Sequence, residues 1–169
     1  MATAASLTSL EEYMQTDYSP DCEYIDGEIV ERRVGKGKHA YTQGKTYLRL
    51  SEVLGNLLVL PEQRVQVTAT RVRIPDVCVA GELEDVVTKP PSLCVEILSP
   101  EDRWSRRNRL ISDYHAMGVP CVWVIDPWLS RAWIFDLDEP PREVQDGKLI
   151  AQALGIGIQL AEVLPLSSP

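Results

Sequence analysis

Two acidic residues stand where acidic residues are costly. Glu96 lies in LCVEIL, residues 93–98, where the other five residues are apolar. Such a run marks a strand buried on both faces. An ionised carboxylate there costs several kcal/mol unless it is paired, hydrogen-bonded or bound to a cation. Asp76 raises the same question in IPDVCVA, ahead of residues of buried-strand character. Alternation along a strand sets Asp76 on one face with Cys78 and Ala80, and Glu96 on one face with Cys94 and Leu98. If the two strands are neighbours, the carboxylates converge beside small side chains that leave space. Two hard oxygen donors in a crevice suit a magnesium ion. The competing outcome is a buried ion pair, with Arg71, Arg73 or Arg109 reaching in. A third carboxylate comes most naturally from Glu23 or Glu28, which are otherwise exposed strand charges.

Other chemistries find little support. Cys22, Cys78, Cys94 and Cys121 show no ligand spacing and each falls in a strand-like segment, so they read as small buried hydrophobes. His39 and His115 are too few and too scattered for a histidine metal cluster. Trp123 and Trp133 alternate with apolar residues and read as core or dimer packing rather than as base-stacking platforms. No phosphate-cradling glycine motif and no GxSxG is present, which removes nucleotide binding and serine hydrolysis.

The elements that must position the carboxylates can be read from periodicity. Thr8 and Glu11 have capping-box spacing ahead of a short helix ending near Met14. CEYIDGEIVERR is a hairpin about Asp26-Gly27, with Glu23, Ile25, Glu28 and Val30 on one face. Residues 37–58 read as a long helix, 63–68 as a strand, and 71–74 with 75–80 as a further strand pair. The polar, proline-bounded stretch 82–91 is a loop. After LCVEIL, residues 103–117 form a helix with Leu110, Ile111, Tyr114 and Met117 inward and Gly118 as its stop. Residues 122–125 are a second buried strand, 131–136 its return, and short strands at 148–151 and 156–160 precede a last apolar turn, LAEVLPL. Strand, helix, strand implies a parallel pair, and hairpins imply antiparallel edges. The fold class is therefore α/β, a mixed sheet flanked by helices with an N-terminal β-hairpin.

The chain of 169 residues fits one domain, residues 1–169, with 44% hydrophobic and 25% charged residues. A net charge of -8 excludes a protein that coats nucleic acid by overall charge, though not a local basic groove. Arg32, Arg33, Lys36 and Lys38 form one basic cluster and Arg103, Arg106, Arg107 and Arg109 another, both read as solvated faces. MATAASLTSLEEY lacks the features of a signal peptide, and no stretch approaches the roughly 20 apolar residues of a membrane span, so a soluble, cytoplasmic protein without a membrane partner is expected.

An acid after proline, followed twenty positions later by a glutamate in an apolar strand, resembles the signature of the PD-(D/E)XK nucleases. The ordered series EYIDGEIVE, RIPDVCV, CVEILSP and DYHAMGVPCVWVIDP is similar, over residues 9–164, to the Uma-two family of restriction endonucleases within that superfamily. The resemblance implies a restriction-endonuclease-like fold and magnesium, with manganese as an alternative, held by Asp76, Glu96 and the carbonyl of Ile97, with Glu23 assisting. It implies DNA as substrate, and fold-level analogy together with the edges of a small sheet suggests a homodimer. The usual lysine positions of such sites correspond here to Leu98 and Leu110, and no lysine occurs from 90 to 147. Arg109, with Arg106 and Arg107 beside it, is the expected source of positive charge, and arginine stabilises phosphate charge but accepts protons poorly. This leaves a second expectation open, a catalytically impaired nuclease fold that binds nucleic acid or regulates as a homodimer. His39 resembles a histidine found at that place in relatives, which suggests a phosphate contact, with capping or surface placement the more expected role.

Overall fold

A computed structural model describes residues 7–32 and 35–166. The chain opens with helix α1 (Leu10–Met14), capped by Ser9, whose hydroxyl accepts from the Glu12 amide at 3.1 Å. The cap is thus one residue later than the capping-box pattern of Thr8 suggested. Strands β1 (Cys22–Ile25) and β2 (Glu28–Glu31) follow as the expected hairpin, Glu23 opposite Val30. Asp26 and Gly27 both take positive φ, 52° and 96°, as a turn that matches strand twist requires.

Helix α2 (Gly37–Leu54) is shorter than its apolar pattern predicted. Gly55 stops it at φ 59°, and Leu58, read from sequence as the end of the helix, instead opens the edge strand β3 (Leu58–Pro61). Then come β4 (Val65–Thr68), β5 (Arg71–Arg73) and β6 (Val77–Ala80). The expected pairing of residues 71–74 with 75–80 does not occur. Ile74, Pro75 and Asp76 offer no turn on which the chain could reverse, so it runs on from one sheet into another. β5 joins a four-stranded sheet of order β2-β1-β5-β4, whereas β6 enters a six-stranded one.

That central sheet is completed by β7 (Leu93–Ile97), β8 (Cys121–Asp126), β9 (Arg131–Asp136) and β10 (Arg142–Glu143), in the order β10-β9-β8-β7-β6-β3. Helix α3 (Trp104–Met117) connects β7 to β8, which are parallel as predicted, and Gly118 ends it in the left-handed conformation at φ 101°. β11 (Lys148–Ala151) and β12 (Ile156–Gln159) form a separate hairpin before helix α4 (Leu160–Val163).

β7 and β8 lie in the middle of the central sheet, which explains why both read as continuous apolar runs. One face packs Val77, Val95, Trp123 and Ile125 against Leu50 of α2 and the β11–β12 hairpin. The other packs Cys78, Cys94 and Val122 against Leu110, Ile111 and Tyr114 of α3. A third cluster, Tyr13, Tyr24 and Val72, sits beneath the hairpin sheet. All four cysteines are free and buried, consistent with their reading as hydrophobes. Trp123 is fully buried, its indole donating to the Ile150 carbonyl at 3.0 Å. Among the described residues no helix is long and apolar enough to cross a membrane.

Candidate active site

Because β6 and β7 are antiparallel with Cys78 opposite Cys94, the register carries Asp76 to the position across from Glu96. Both are almost sealed, at 3% and 4% exposure, and Glu23 of β1 is 3% exposed. All three line one crevice with Arg32, His39, Ile74, Ile97, Asp102, Arg106, Arg107 and Leu110. The structure therefore brings Glu23, Asp76, Glu96 and Ile97 together. Glu28 shares that face of the hairpin but stands exposed beside the turn and does not line the crevice.

Each of these carboxylates is met by a cation. Asp76 Oδ1 accepts from Arg32 Nη2 at 3.0 Å, and its Oδ2 accepts from the Ile97 amide at 2.7 Å with His39 Nε2 at 3.4 Å. Glu96 accepts from the Tyr114 hydroxyl at 2.7 Å and from Arg107 Nη1. Arg107 also holds Asp102 at 2.7 Å, whose carboxylate accepts from the Ser99 amide. Glu23 accepts from Arg73 Nη1 at 3.0 Å and from the Ile74 amide at 3.3 Å, with Arg106 Nη2 at 3.9 Å. Arg73 is itself buried and donates twice to Asp113 of α3, at 2.8 and 2.7 Å.

Environment separates the two central acids. Burial pushes the Glu96 carboxyl up to about 7; Arg107 and Tyr114 oppose this, and the neighbouring Asp76 and Glu23 charges reinforce it. Burial would raise Asp76 as well, but His39, Arg32 and the Ile97 amide outweigh it and hold Asp76 below its ordinary value. Burial pulls His39 down, yet its contact with Asp76 prevails and its pKa rises. The imidazole is thus a donor and counter-ion inside the crevice. It is neither a cap nor a surface group, which corrects the expectation for His39.

Arg109 requires a second correction. It stands exposed on α3 and does not line the crevice, where Arg107 takes its place. Helical geometry is the reason. Arg107 precedes Leu110, Ile111 and Tyr114 by three, four and seven residues and shares their inward face, whereas Arg109 points away. The same periodicity identifies Asp113 as a charge set within the helix's buried side, a signal present in the sequence. Arg32 and Arg107 are not solvated either, with side chains 19% and 11% exposed. Arg33 lies outside the described residues. Leu98 and Leu110 are both buried, and Leu110 forms part of the crevice wall.

The donor set suits a hard divalent cation in kind. Among the described residues no group of three or more His, Cys, Asp or Glu side chains is arranged to hold a metal ion. Coordination would rest on Asp76, Glu96 and the Ile97 carbonyl together with water and substrate oxygens, the sparse protein shell that magnesium commonly accepts. An ion there competes with Arg32 and Arg107 for the same oxygens.

A search of curated proteins finds no match. A solved structure from Anabaena variabilis ATCC 29413, described as "a putative nuclease belonging to DUF820", is similar to this chain with a TM-score of 0.78 at 19% identity, over 91% of this chain and 96% of that one. At that identity the likeness establishes the fold. The sequence itself matches, across residues 10–165, the family described as "Putative restriction endonuclease". With nearly its whole length matched, the chain belongs to that family, Uma2.

Proposed function

We propose that the protein is a magnesium-dependent endonuclease that hydrolyses DNA phosphodiester bonds in this crevice, with manganese able to substitute, acting in the cytoplasm. The observation that carries the reading is the convergence of Asp76, Glu96 and Glu23, from three different strand segments, on one opening lined by arginines. Buried acids are costly to a core, and a cluster of them in a cleft, even ion-paired, marks a candidate functional site. A divalent ion bound by Asp76 and Glu96 would polarise the scissile phosphate and acidify an attacking water. Arg106, half exposed at the rim, is placed to meet phosphate oxygens, and Arg107 supplies positive charge further in. Both guanidiniums stay protonated and so stabilise charge without accepting the proton of the water. Glu23 fixes Arg73 and receives Arg106, holding the wall opposite α3.

A second reading has its own support. Leu98 and Leu110 replace the usual lysines, and every central carboxylate already has a cationic partner. A nuclease fold that binds nucleic acid without turnover, or regulates as a homodimer, would keep the crevice in this form. Plasmid nicking with magnesium or manganese, run beside Asp76→Ala and Glu96→Ala, separates the readings. Metal-dependent cleavage lost in both variants supports the enzyme. Absence of cleavage with retained metal or DNA binding supports the second reading, and cleavage surviving both substitutions would rule out this crevice as its source.

A further inference from the structure

Among the described residues, no element packs against the side of α2 turned away from the core. His39, Thr42, Thr46 and Leu50 face inward, and Arg49 ties one flank to Glu162 of α4. The outward arc carries Gly37, Ala40, Tyr41, Gly44, Leu48 and Ser51, with Tyr47 at its margin. Of the eleven large apolar side chains exposed among the described residues, three lie on or beside this arc, Tyr41, Tyr47 and Leu48, and Val53 and Leu57 follow off it near the helix end. Exposed apolar side chains scattered singly need no explanation, but a concentration of them marks an interface.

We infer that this face binds a second copy of the chain, the two α2 helices packing antiparallel about a two-fold axis at Gly44. The charge pattern of the helix identifies the occupant. α2 begins with Lys36 and Lys38, has no acidic residue in its first turn, and has no basic residue in its last. Its acid, Glu52, lies near the C-terminal end. Both ends therefore run against the helix macrodipole, an arrangement unfavourable in a helix standing alone. An antiparallel copy reverses the sign at each end. With the axis at Gly44, Tyr41 comes opposite Tyr47 of the other copy and Ala40 opposite Leu48, while Lys36, paired with Glu101 in the monomer, comes opposite Glu52, paired there with Arg49. A self-complementary patch is what a two-fold contact demands. Gly44 lies open on this face, where a Cβ built on it meets nothing within 4 Å in the monomer. The inference does not depend on whether the crevice turns over substrate.

Sedimentation equilibrium of the full chain tests the stoichiometry, and a single engineered thiol tests the face. The native cysteines are all buried, so Gly44→Cys supplies the accessible thiol. A residue on a two-fold axis meets its own copy within disulfide reach. The expected results are a dimer, disulfide cross-linking of Gly44→Cys but not of the exposed loop control Leu83→Cys, and at least about ten-fold weaker dimerisation in Leu48→Glu. Circular dichroism confirms that Leu48→Glu remains folded, and Leu48→Lys repeats the test with the opposite charge. A wild-type monomer at all concentrations overturns the inference. So does a dimer indifferent to both Leu48 substitutions whose Gly44→Cys form fails to cross-link. Plasmid nicking is scored separately, so loss of dimer and loss of cleavage are read independently.

Discussion

Arg107 donates to Glu96 and Asp102 at once, one guanidinium bridging the end of β7 and the loop that leads into α3. This bridge joins the most costly charge of the central sheet to the helix that covers it.

Removing that guanidinium should be expensive, and more so in alkali. Arg107→Met leaves Glu96 buried with Tyr114 alone, and breaking such a pair costs about 3–5 kcal/mol. Below pH 7 the Glu96 carboxyl is already becoming protonated, so the loss should shrink toward pH 5. Urea unfolding at pH 5 and pH 8 measures the difference, and a pH-independent loss would contradict the assignment.

The two acids should act on stability with opposite signs. Glu96 is raised from 4.5 to about 7 in the fold, so from the unfolded value upward the unfolded chain binds fewer protons and this group's contribution falls with rising pH. Glu96→Gln should therefore gain on the wild type between pH 5 and pH 8, by roughly 2–3 kcal/mol. Asp76 is lowered, so its contribution is present above 3.8 and is lost as pH falls. Asp76→Asn should thus cost more at pH 7 than at pH 3, as denaturant titrations of both variants would show.

Arg73 is the structural counterpart of Arg107. It holds Glu23 and Asp113 together inside the protein, and all three side chains are buried. Arg73→Met strands Glu23, while Asp113 keeps Arg71 at 2.8 Å, and should destabilise by about 3 kcal/mol, with a visibly lower melting temperature in calorimetry. The exposed pair Lys89–Glu82 offers a contrast, and Lys89→Met should change stability by less than about 1 kcal/mol.

Leu110 invites the reverse experiment. It lines the crevice at the position where a basic residue would be expected, so Leu110→Lys places an ammonium beside Glu23 and Glu96. If weak proton handling limits turnover, plasmid nicking should rise about ten-fold or more above wild type. A folded Leu110→Lys protein without such a gain would show that lysine is not what limits the reaction.

The sequence disclosed most where one period dominated. The Asp26-Gly27 hairpin, the parallel β7–β8 pair and the convergence of Asp76 with Glu96 each follow from strand alternation and turn chemistry. β3 was hidden because Leu57 and Leu58 extend a helical stripe as well as they begin a strand, and only Gly55 separates the two. The identity of the cations divides in the same way. Arg107 and Asp113 could be placed from helical spacing alone. Arg32 meets Asp76 across forty-four positions of chain, and no local pattern encodes that meeting.

At Ile74-Pro75-Asp76 the polypeptide leaves one sheet and enters the other without turning back. Arg73 and Asp76, three residues apart, consequently act as the last rung of one ladder and the threshold of the next. A shift of the hairpin layer against the central layer would pull on both at once, opening or narrowing the gap between them like the jaws of a clamp.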